Sequence, residues 1–217
     1  MKRLVGAILD LLYPPKCVFC RKLLTREERE ICSRCRMELP VFTEELEPGP
    51  FCSGAVAALC YENRVRESLL RFKFHGMEQY AGCYGKLLAA ACAQLPLENI
   101  DAVTWVPVSR RRRRSRGYDQ AKLLAKVLAA ELGKPWISTL TKVRHNQTQS
   151  SLETAEARRA NVLGVYQAGT AAAGRTLLLV DDIVTTGATS SEAARTLLTA
   201  GATAVYLAAV AARRDAN

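Results

Sequence analysis

The segment from Leu177 to Thr189 limits the fold of this chain more than any other part of its sequence. It begins with an unbroken aliphatic run, Leu177 to Val180, which predicts a strand buried on both faces of a parallel sheet. Two adjacent carboxylates, Asp181 and Asp182, follow, and a loop of small and hydroxyl-bearing residues then opens into a helix. Ligands bind at the carboxyl ends of strands in open α/β sheets. The segment therefore predicts an α/β domain with a ligand site at this edge.

The pattern of the surrounding sequence agrees with that fold. We predict strands at 55–61, 101–108, 136–140, 162–166, 176–180 and 203–210, and helices near 65–72, 80–95, 121–132 (ended by Gly133) and 190–200. Alternation of this kind is typical of a parallel sheet flanked by helices. With 217 residues, the chain can form one such core and a small appendage. We place the appendage at 1–50, with a linker at its end, and the α/β domain at 51–217.

The loop after the two acids has the composition of a phosphate-binding turn. Backbone N–H groups at the start of a helix carry partial positive charge and bind phosphate well. Gly187 lets the backbone approach a ligand closely, and the threonine hydroxyls of the loop are additional donors. We also expect Thr189 and Glu192 to form a capping box that fixes the start of the helix.

The acids Asp181 and Asp182 lie too far back to contact that phosphate, which they would repel. They suit the hydroxyls of a ribose, or a Mg²⁺ ion held through water. Two alternatives stay open: an ordinary strand followed by a capped helix, and an acidic Mg²⁺ site like that of receiver domains. A capped helix does not explain adjacent carboxylates at the end of a buried strand, and a receiver domain carries its acids on the first strand.

The positive charge of the chain is concentrated beside a second strand end. There are 31 Lys and Arg against 21 Asp and Glu, a formal net charge of +10, which suits a polyanionic partner. Six arginines fall within residues 110–116, directly after the strand at 101–108. Runs of charge are most often solvated. This position instead favours binding of a dense anion by two or three of them, with the others facing solvent or a second anion.

Four of the eight cysteines form two Cys-x-x-Cys pairs separated by eleven residues: Cys17, Cys20, Cys32 and Cys35. Two such pairs predict a closed tetrahedral Zn²⁺ site that is structural, since no coordination position stays open. A redox pair is the alternative, but it would be single and lie in a βαβ unit. Without an export signal we expect a reducing, cytoplasmic location, with the other four cysteines buried as thiols.

The segment 177–189 resembles the phosphoribosyl pyrophosphate (PRPP) signature of type I phosphoribosyltransferases. The resemblance implies that Asp181 and Asp182 contact the ribose 2′ and 3′ hydroxyls. The pyrophosphate loop would be Val108, Ser109 and Arg110, with Mg²⁺ and Arg110 stabilising the leaving charge. The 5′-phosphate would be held by five consecutive residues: Thr185, Thr186, Gly187, Ala188 and Thr189.

The motifs also occur in an order similar to that of the ComF family of competence-associated proteins. Besides the cysteine pairs and the PRPP signature, the resemblance rests on the segments 72–76 and 116–121 and on Gln149, Leu152, Arg158 and Asn161. One departure is Tyr118-Asp119, where the family more often has Phe-Asn. The resemblance implies a link to DNA uptake or nucleotide salvage, with competence-machinery proteins as partners.

Three classes of function stay open: an enzyme that joins PRPP to a nitrogenous acceptor, a PRPP sensor without turnover, and a single-stranded-DNA-binding accessory protein with a regulatory PRPP site. No residue stands out as a base for the acceptor, and the acceptor and the oligomeric state stay undefined. We expect 141–154 to be a mobile segment that closes over the ligand, with Lys142 or Arg144 adding charge and His145 as a candidate base. We expect a short amphipathic helix at 4–12 and no membrane span.

Overall fold

Four parallel strands form the main sheet of the computed structural model, which describes residues 14–144 and 163–214. The strands are β1 (Gly54–Cys60), β2 (Ala102–Trp105), β5 (Thr176–Val184) and β6 (Ala204–Ala212). Their order across the sheet is β1-β6-β5-β2, and each neighbouring pair is parallel. A separate antiparallel ribbon pairs β3 (Leu140–Lys142) with β4 (Tyr166–Ala168). The α/β prediction is confirmed.

Six α-helices belong to the described residues: α1 (Ser33–Met37), α2 (Asn63–Phe74), α3 (Tyr80–Cys92), α4 (Arg110–Arg116), α5 (Gln120–Leu132) and α6 (Ala188–Thr199). Buried residues of α2, α3 and α5 share one hydrophobic core, and those of α6 belong to a second core. None of these helices is long and apolar enough to cross a membrane. The helix expected at 4–12 lies outside the described residues.

Strand β5 lies at the centre of the sheet because its sequence is aliphatic on both faces. Leu177, Leu178, Leu179 and Val180 are each 0% exposed. Leu177 and Leu179 pack in the core beside α6, whereas Leu178 and Val180 pack in the core beside α2, α3 and α5. The strand continues beyond the predicted end at 180 and includes both acids, pairing with β6 as far as Val184.

Two predicted strands are placed incorrectly by the sequence pattern. At 136–140, only Trp136 pairs with the main sheet, as a single parallel bridge to Val103. The chain then leaves the sheet edge and forms β3, whose partner is β4. The strand predicted at 162–166 begins instead at Tyr166, because Gly164 adopts a positive φ of 65° and turns the chain just before it.

The first Cys-x-x-Cys turn packs into the core of the α/β domain. Val18 and Phe19, which separate Cys17 from Cys20, are buried among residues of α2 and α3. The ring of Phe19 contacts that of Tyr84 edge-on, with centroids 6.0 Å apart. The packing places the cysteines directly against α2.

Residues 42–51, whose end we predict as a linker, form one wall of a cleft of about 990 Å³. Phe42 packs into the core beside α6, and Gly49 approaches the side chain of Ser191 on α6. The opposite wall includes Thr185, Thr186 and Gly187. The cleft therefore borders the loop that follows the two acids.

Candidate functional site

Asp181 and Asp182 occupy different environments although they are adjacent in β5. Asp181 is 9% exposed, and its Oδ1 accepts a hydrogen bond from the backbone N–H of Asp182 at 2.8 Å. Burial, followed by the negative charge of Asp182, raises the pKa of Asp181 to about 7. A carboxyl group with this pKa exchanges a proton near neutral pH. Such groups are concentrated at functional sites.

A lysine that the sequence interpretation did not select neutralises the second acid. The Nζ atom of Lys73 lies 2.9 Å from Oδ1 of Asp182, with both side chains largely buried. Lys73 is in the last turn of α2, so the ion pair joins this helix to β5. The sequence of the segment 72–76 resembles that of a family, but nothing local in it indicates a contact with Asp182.

Residues 185–187 connect β5 to α6, and Ala188 and Thr189 form the start of the helix. The predicted capping box is wrong. Helix α6 begins at Ala188, and its N-cap is Gly187 with a left-handed φ of 67°. Glycine adopts a left-handed φ without steric cost, which explains this residue at the turn. The Glu192 carboxylate accepts instead from the backbone N–H of Gly164 at 2.7 Å and from the guanidinium of Arg195 at 2.8 Å.

The loop after β2 is held by an acid on the neighbouring helix. The backbone N–H of Val108 donates to Asp119 Oδ2 at 3.1 Å. Asp119 is also the N-cap of α5, where its Oδ1 accepts from the backbone N–H of Lys122 at 3.2 Å. Burial raises the pKa of Asp119. Asp119 therefore acts as an acceptor in this structure and fixes the loop of Val108 and Ser109.

The arginine run forms the short helix α4, capped by Ser109, which accepts from the backbone N–H of Arg112 at 3.3 Å. Arg112 and Arg116 are half-buried, whereas the other four arginines, including Arg110, are exposed. Arg116 lies over the ring of Phe74 at 4.7 Å and donates to Gln120 at 3.0 Å. Two of the six arginines therefore face the protein.

Of the cations expected from the segment 141–154, Lys142 lies near the acids and Arg144 does not. Burial, together with the positive charge of Arg112, lowers the pKa of Lys142 to about 8, and its charge favours ionisation of Asp181. Its Nζ donates to the Tyr166 hydroxyl at 3.5 Å. Arg144 instead binds the backbone carbonyls of 163–164. His145 and residues 149–161 of the family motif lie outside the described residues.

The four paired cysteines converge as predicted. The Sγ atoms of Cys17, Cys20, Cys32 and Cys35 all lie within 4.8 Å of one another. Four sulfurs around one Zn²⁺ at about 2.3 Å are roughly 3.8 Å apart. The cluster is therefore of the right size for a closed, structural zinc site.

The surroundings of Cys17 favour its thiolate, whereas the pKa of Cys35 is raised, chiefly by burial. The backbone N–H of Cys32 donates to Cys17 Sγ at 3.4 Å. Burial opposes ionisation of Cys17, but the N–H groups of Cys32, Cys20 and Phe19 together outweigh it and lower its pKa to about 7. The remaining cysteines are thiols, and burial raises the pKa of three of them, Cys52, Cys83 and Cys92, to about 12.

Two family models match separate segments of the chain. The model described as a double zinc ribbon domain matches residues 8–57, and that described as a phosphoribosyl transferase domain matches residues 118–217. Together with the parallel sheet and the cysteine cluster, they define the class of the protein. It has a type I phosphoribosyltransferase-like fold with a small N-terminal zinc module.

Curated relatives identify the family within this class. The chain is 37% identical over 220 residues to the DNA utilization protein YhgH of Salmonella typhimurium, covering 91% of this chain and 96% of the relative. It is 25% identical over 223 residues to the competence protein ComFC of Bacillus subtilis, covering 92% of this chain and 90% of the relative. The chain belongs to the ComF family.

Among solved structures, the glutamine PRPP amidotransferase of B. subtilis is similar over 60% of this chain, with 26% identity and a TM-score of 0.41. The chain spans only 26% of the length of that enzyme.

Proposed function

We propose that this protein binds PRPP at the carboxyl edge of its sheet, where it transfers or senses a phosphoribosyl group. The supporting observation is that β5 carries two acids near its carboxyl end, and that a short loop then leads to α6, whose N-cap is Gly187. Asp181 and Asp182 accept from the ribose hydroxyls in this proposal. The N–H and hydroxyl groups of 185–189 bind the 5′-phosphate.

The pyrophosphate group of the ligand lies on the β2 side of the acids in this arrangement. Val108 and Ser109 offer a loop fixed by Asp119, and Arg110 begins the helix that follows. The half-buried Arg112 is the arginine that influences Lys142 electrostatically. Carboxylate and phosphate oxygens are the ligands that Mg²⁺ prefers, so the ion would be held between the acids and the pyrophosphate.

An acceptor, where one exists, approaches from the opposite side. Displacement at the ribose C1 places the incoming and leaving groups on opposite faces of that carbon. The arginines follow β2, whereas the cleft walled by 42–51 lies toward β6 and the residues after it, Arg213 and Arg214. The cleft is large enough for a nitrogenous base, since ligand pockets commonly measure about 300–1,000 Å³.

Calorimetry with PRPP and Mg²⁺ tests the proposal. Replacing Asp181 and Asp182 together by Asn keeps their shape and removes their charge, and should weaken binding at least about tenfold, or roughly 1.4 kcal/mol. The matched control is Asp101→Asn, because Asp101 binds the N–H of Thr176 at the other end of β5. Unchanged affinity in the double variant would reject the site.

Turnover distinguishes an enzyme from a sensor. Release of pyrophosphate from PRPP, measured with each of a series of nitrogenous bases, identifies an acceptor. PRPP binding without release in any mixture supports the sensor. The names of the relatives, competence and DNA utilization proteins, suggest a role linked to DNA uptake in either case.

Binding of single-stranded DNA is a second candidate function, favoured by the surface of α4. Four of its arginines are exposed, and its Arg116 packs against the exposed aromatic side chain of Phe74. A second exposed aromatic side chain, Trp136, packs against Lys126 of the following helix, α5. Basic and aromatic side chains together are typical of surfaces that bind single strands. In this alternative the PRPP site regulates DNA binding.

A further inference from the structure

Helix α2 is bound to the first Cys-x-x-Cys turn by three hydrogen bonds. Ser68 Oγ donates to the carbonyl oxygen of Val18 at 2.6 Å. Arg71 Nη2 donates to the same oxygen at 3.1 Å and to the carbonyl oxygen of Phe19 at 2.6 Å. These carbonyls belong to the two residues between Cys17 and Cys20, so the turn that presents two of the thiols is fastened to α2.

The guanidinium of Arg71 depends on these carbonyls for its position. Its Nε is buried and has no hydrogen-bond partner among the described residues. Its other contact is an ion pair with Glu67 at 3.9 Å, and Glu67 is largely exposed. A pair of this kind is weak because solvent screens it. The two carbonyls are therefore the main attachment of this side chain.

The same helix ends in the candidate ligand site. Lys73, two residues after Arg71, forms the ion pair with Asp182 at 2.9 Å. The Tyr118 hydroxyl donates to the carbonyl oxygen of Phe72, and Gln120 Nε2 donates to that of Lys73 at 3.3 Å. From Ser68 to Lys73 the helix rises only about 7.5 Å. A displacement of α2 at the cysteine turn is thus transmitted within about one and a half turns to Lys73.

We propose that Arg71 is a positioning residue for the ligand site: it fastens α2 to the cysteine turn and thereby fixes the ammonium of Lys73 beside Asp182. The inference rests on the proposed PRPP function. It gives the zinc module a role in ligand affinity, exerted through the carbonyls of its first turn.

Lys73 matters for binding because the ligand and the acids carry charge of the same sign. Asp181 and Asp182 repel the phosphates of PRPP, and the positive charge of Lys73 acts on both carboxylates. If the charge of Lys73 is removed or displaced, the negative charge of the two largely buried acids is no longer balanced, and binding of an anion is weakened.

A double-mutant cycle tests the inference, with PRPP and Mg²⁺ as the titrant in calorimetry. We expect Lys73→Met to weaken affinity roughly tenfold and Arg71→Met roughly fivefold, and the double variant to bind no more weakly than Lys73→Met alone. Arg66→Met, on the exposed face of α2, is the matched control and should leave the affinity unchanged. Losses that multiply in the double variant, or wild-type affinity in Arg71→Met, would overturn the inference.

Hydrogen exchange gives a readout that does not depend on PRPP. The amides of 73–75 should exchange at least about fivefold faster in Arg71→Met, and also after zinc chelation, but not in Arg66→Met. Unchanged exchange in Arg71→Met would refute the positioning role. Absence of PRPP binding by the wild-type chain would refute the proposed function instead. If Arg71→Met does not fold, Arg71→Lys takes its place in the cycle, and its smaller loss of affinity should also vanish in the Lys73→Met background.

Discussion

The carboxylate of Asp119 accepts a hydrogen bond from the backbone N–H of Val108 at 3.1 Å, across eleven residues of sequence. The other oxygen of this carboxylate caps α5. One side chain therefore sets both the start of a core helix and the shape of the loop proposed for pyrophosphate. Where the family more often has Asn, Asp supplies two acceptor oxygens, and both are used here.

Asp119→Ala should have two effects: it should lower the stability of the protein and increase the mobility of the proposed pyrophosphate loop. Loss of an N-cap side chain costs about 0.5–2 kcal/mol of unfolding free energy, measurable by urea denaturation. Affinity for inorganic pyrophosphate should fall as well, because the N–H of Val108 loses its acceptor. Glu131→Ala, at an exposed position of the same helix, is the control and should change stability by less than about 0.5 kcal/mol. Wild-type behaviour of Asp119→Ala in both assays would contradict this view of the loop.

The purified protein should contain one Zn²⁺ per chain, because the four sulfurs within 4.8 Å fit one closed site. Cys17→Ser or Cys32→Ser should lose the metal, measured by elemental analysis after exhaustive dialysis. The matched control is Cys52→Ser, which removes a thiol outside the cluster and should retain zinc. Protein prepared without chelators that contains no zinc would count against the module.

The stability of the protein should fall with rising pH through the window set by Asp181. Its pKa is raised to about 7 in the native state, against about 3.9 in an unfolded chain. Between these values the native state holds a proton that the unfolded state has released, so the free energy of unfolding decreases as pH rises. Asp181→Asn removes this titration. Relative to wild type, it should gain roughly 2 kcal/mol of stability between pH 5.5 and pH 8 in urea denaturation. A constant difference would show that Asp181 ionises normally.

If α4 binds single-stranded DNA, the affinity should fall steeply as the salt concentration rises. Each neutralised phosphate contributes about −0.7 to the slope of log affinity against log salt concentration. Replacing the exposed Arg111, Arg113 and Arg114 by Ala should therefore reduce the slope by about 2, measured by fluorescence anisotropy. PRPP binding should be preserved in this variant. Loss of PRPP binding with unchanged DNA binding would assign the run to the ligand site.

Much of the fold and of the site could be predicted because the signals are local. The strand of Leu177 to Val180 is a continuous aliphatic run. Gly187, in the turn before α6, adopts the positive φ that glycine accommodates without strain. The spacing of the paired cysteines by itself predicts a zinc site. Each of these features is determined by neighbouring residues, and the structure reproduces it.

The remaining features depend on contacts between distant residues. Lys73 pairs with Asp182 across more than a hundred residues of sequence, and no periodicity or motif links the two. Glu192 satisfies the three-residue spacing of a capping box, yet the folded chain offers it Gly164 and Arg195 as stronger partners. At the edge of the sheet, Trp136 forms a single isolated β-bridge with Val103. Local β-propensity does not distinguish a residue in such a bridge from one in a full strand.

The burial of Val18 and Phe19 among residues of α2 and α3 has a consequence for how this chain can be divided or recombined. Two family models match separate segments, which suggests modules that could be deleted or exchanged. Deleting the first would expose Phe72 and Tyr84, whose rings contact each other and, through Tyr84, Phe19. Grafting another zinc ribbon would require that its first turn present the same two carbonyls to Ser68 and Arg71. Neither segment can therefore be deleted or exchanged without loss of contacts that the other segment needs.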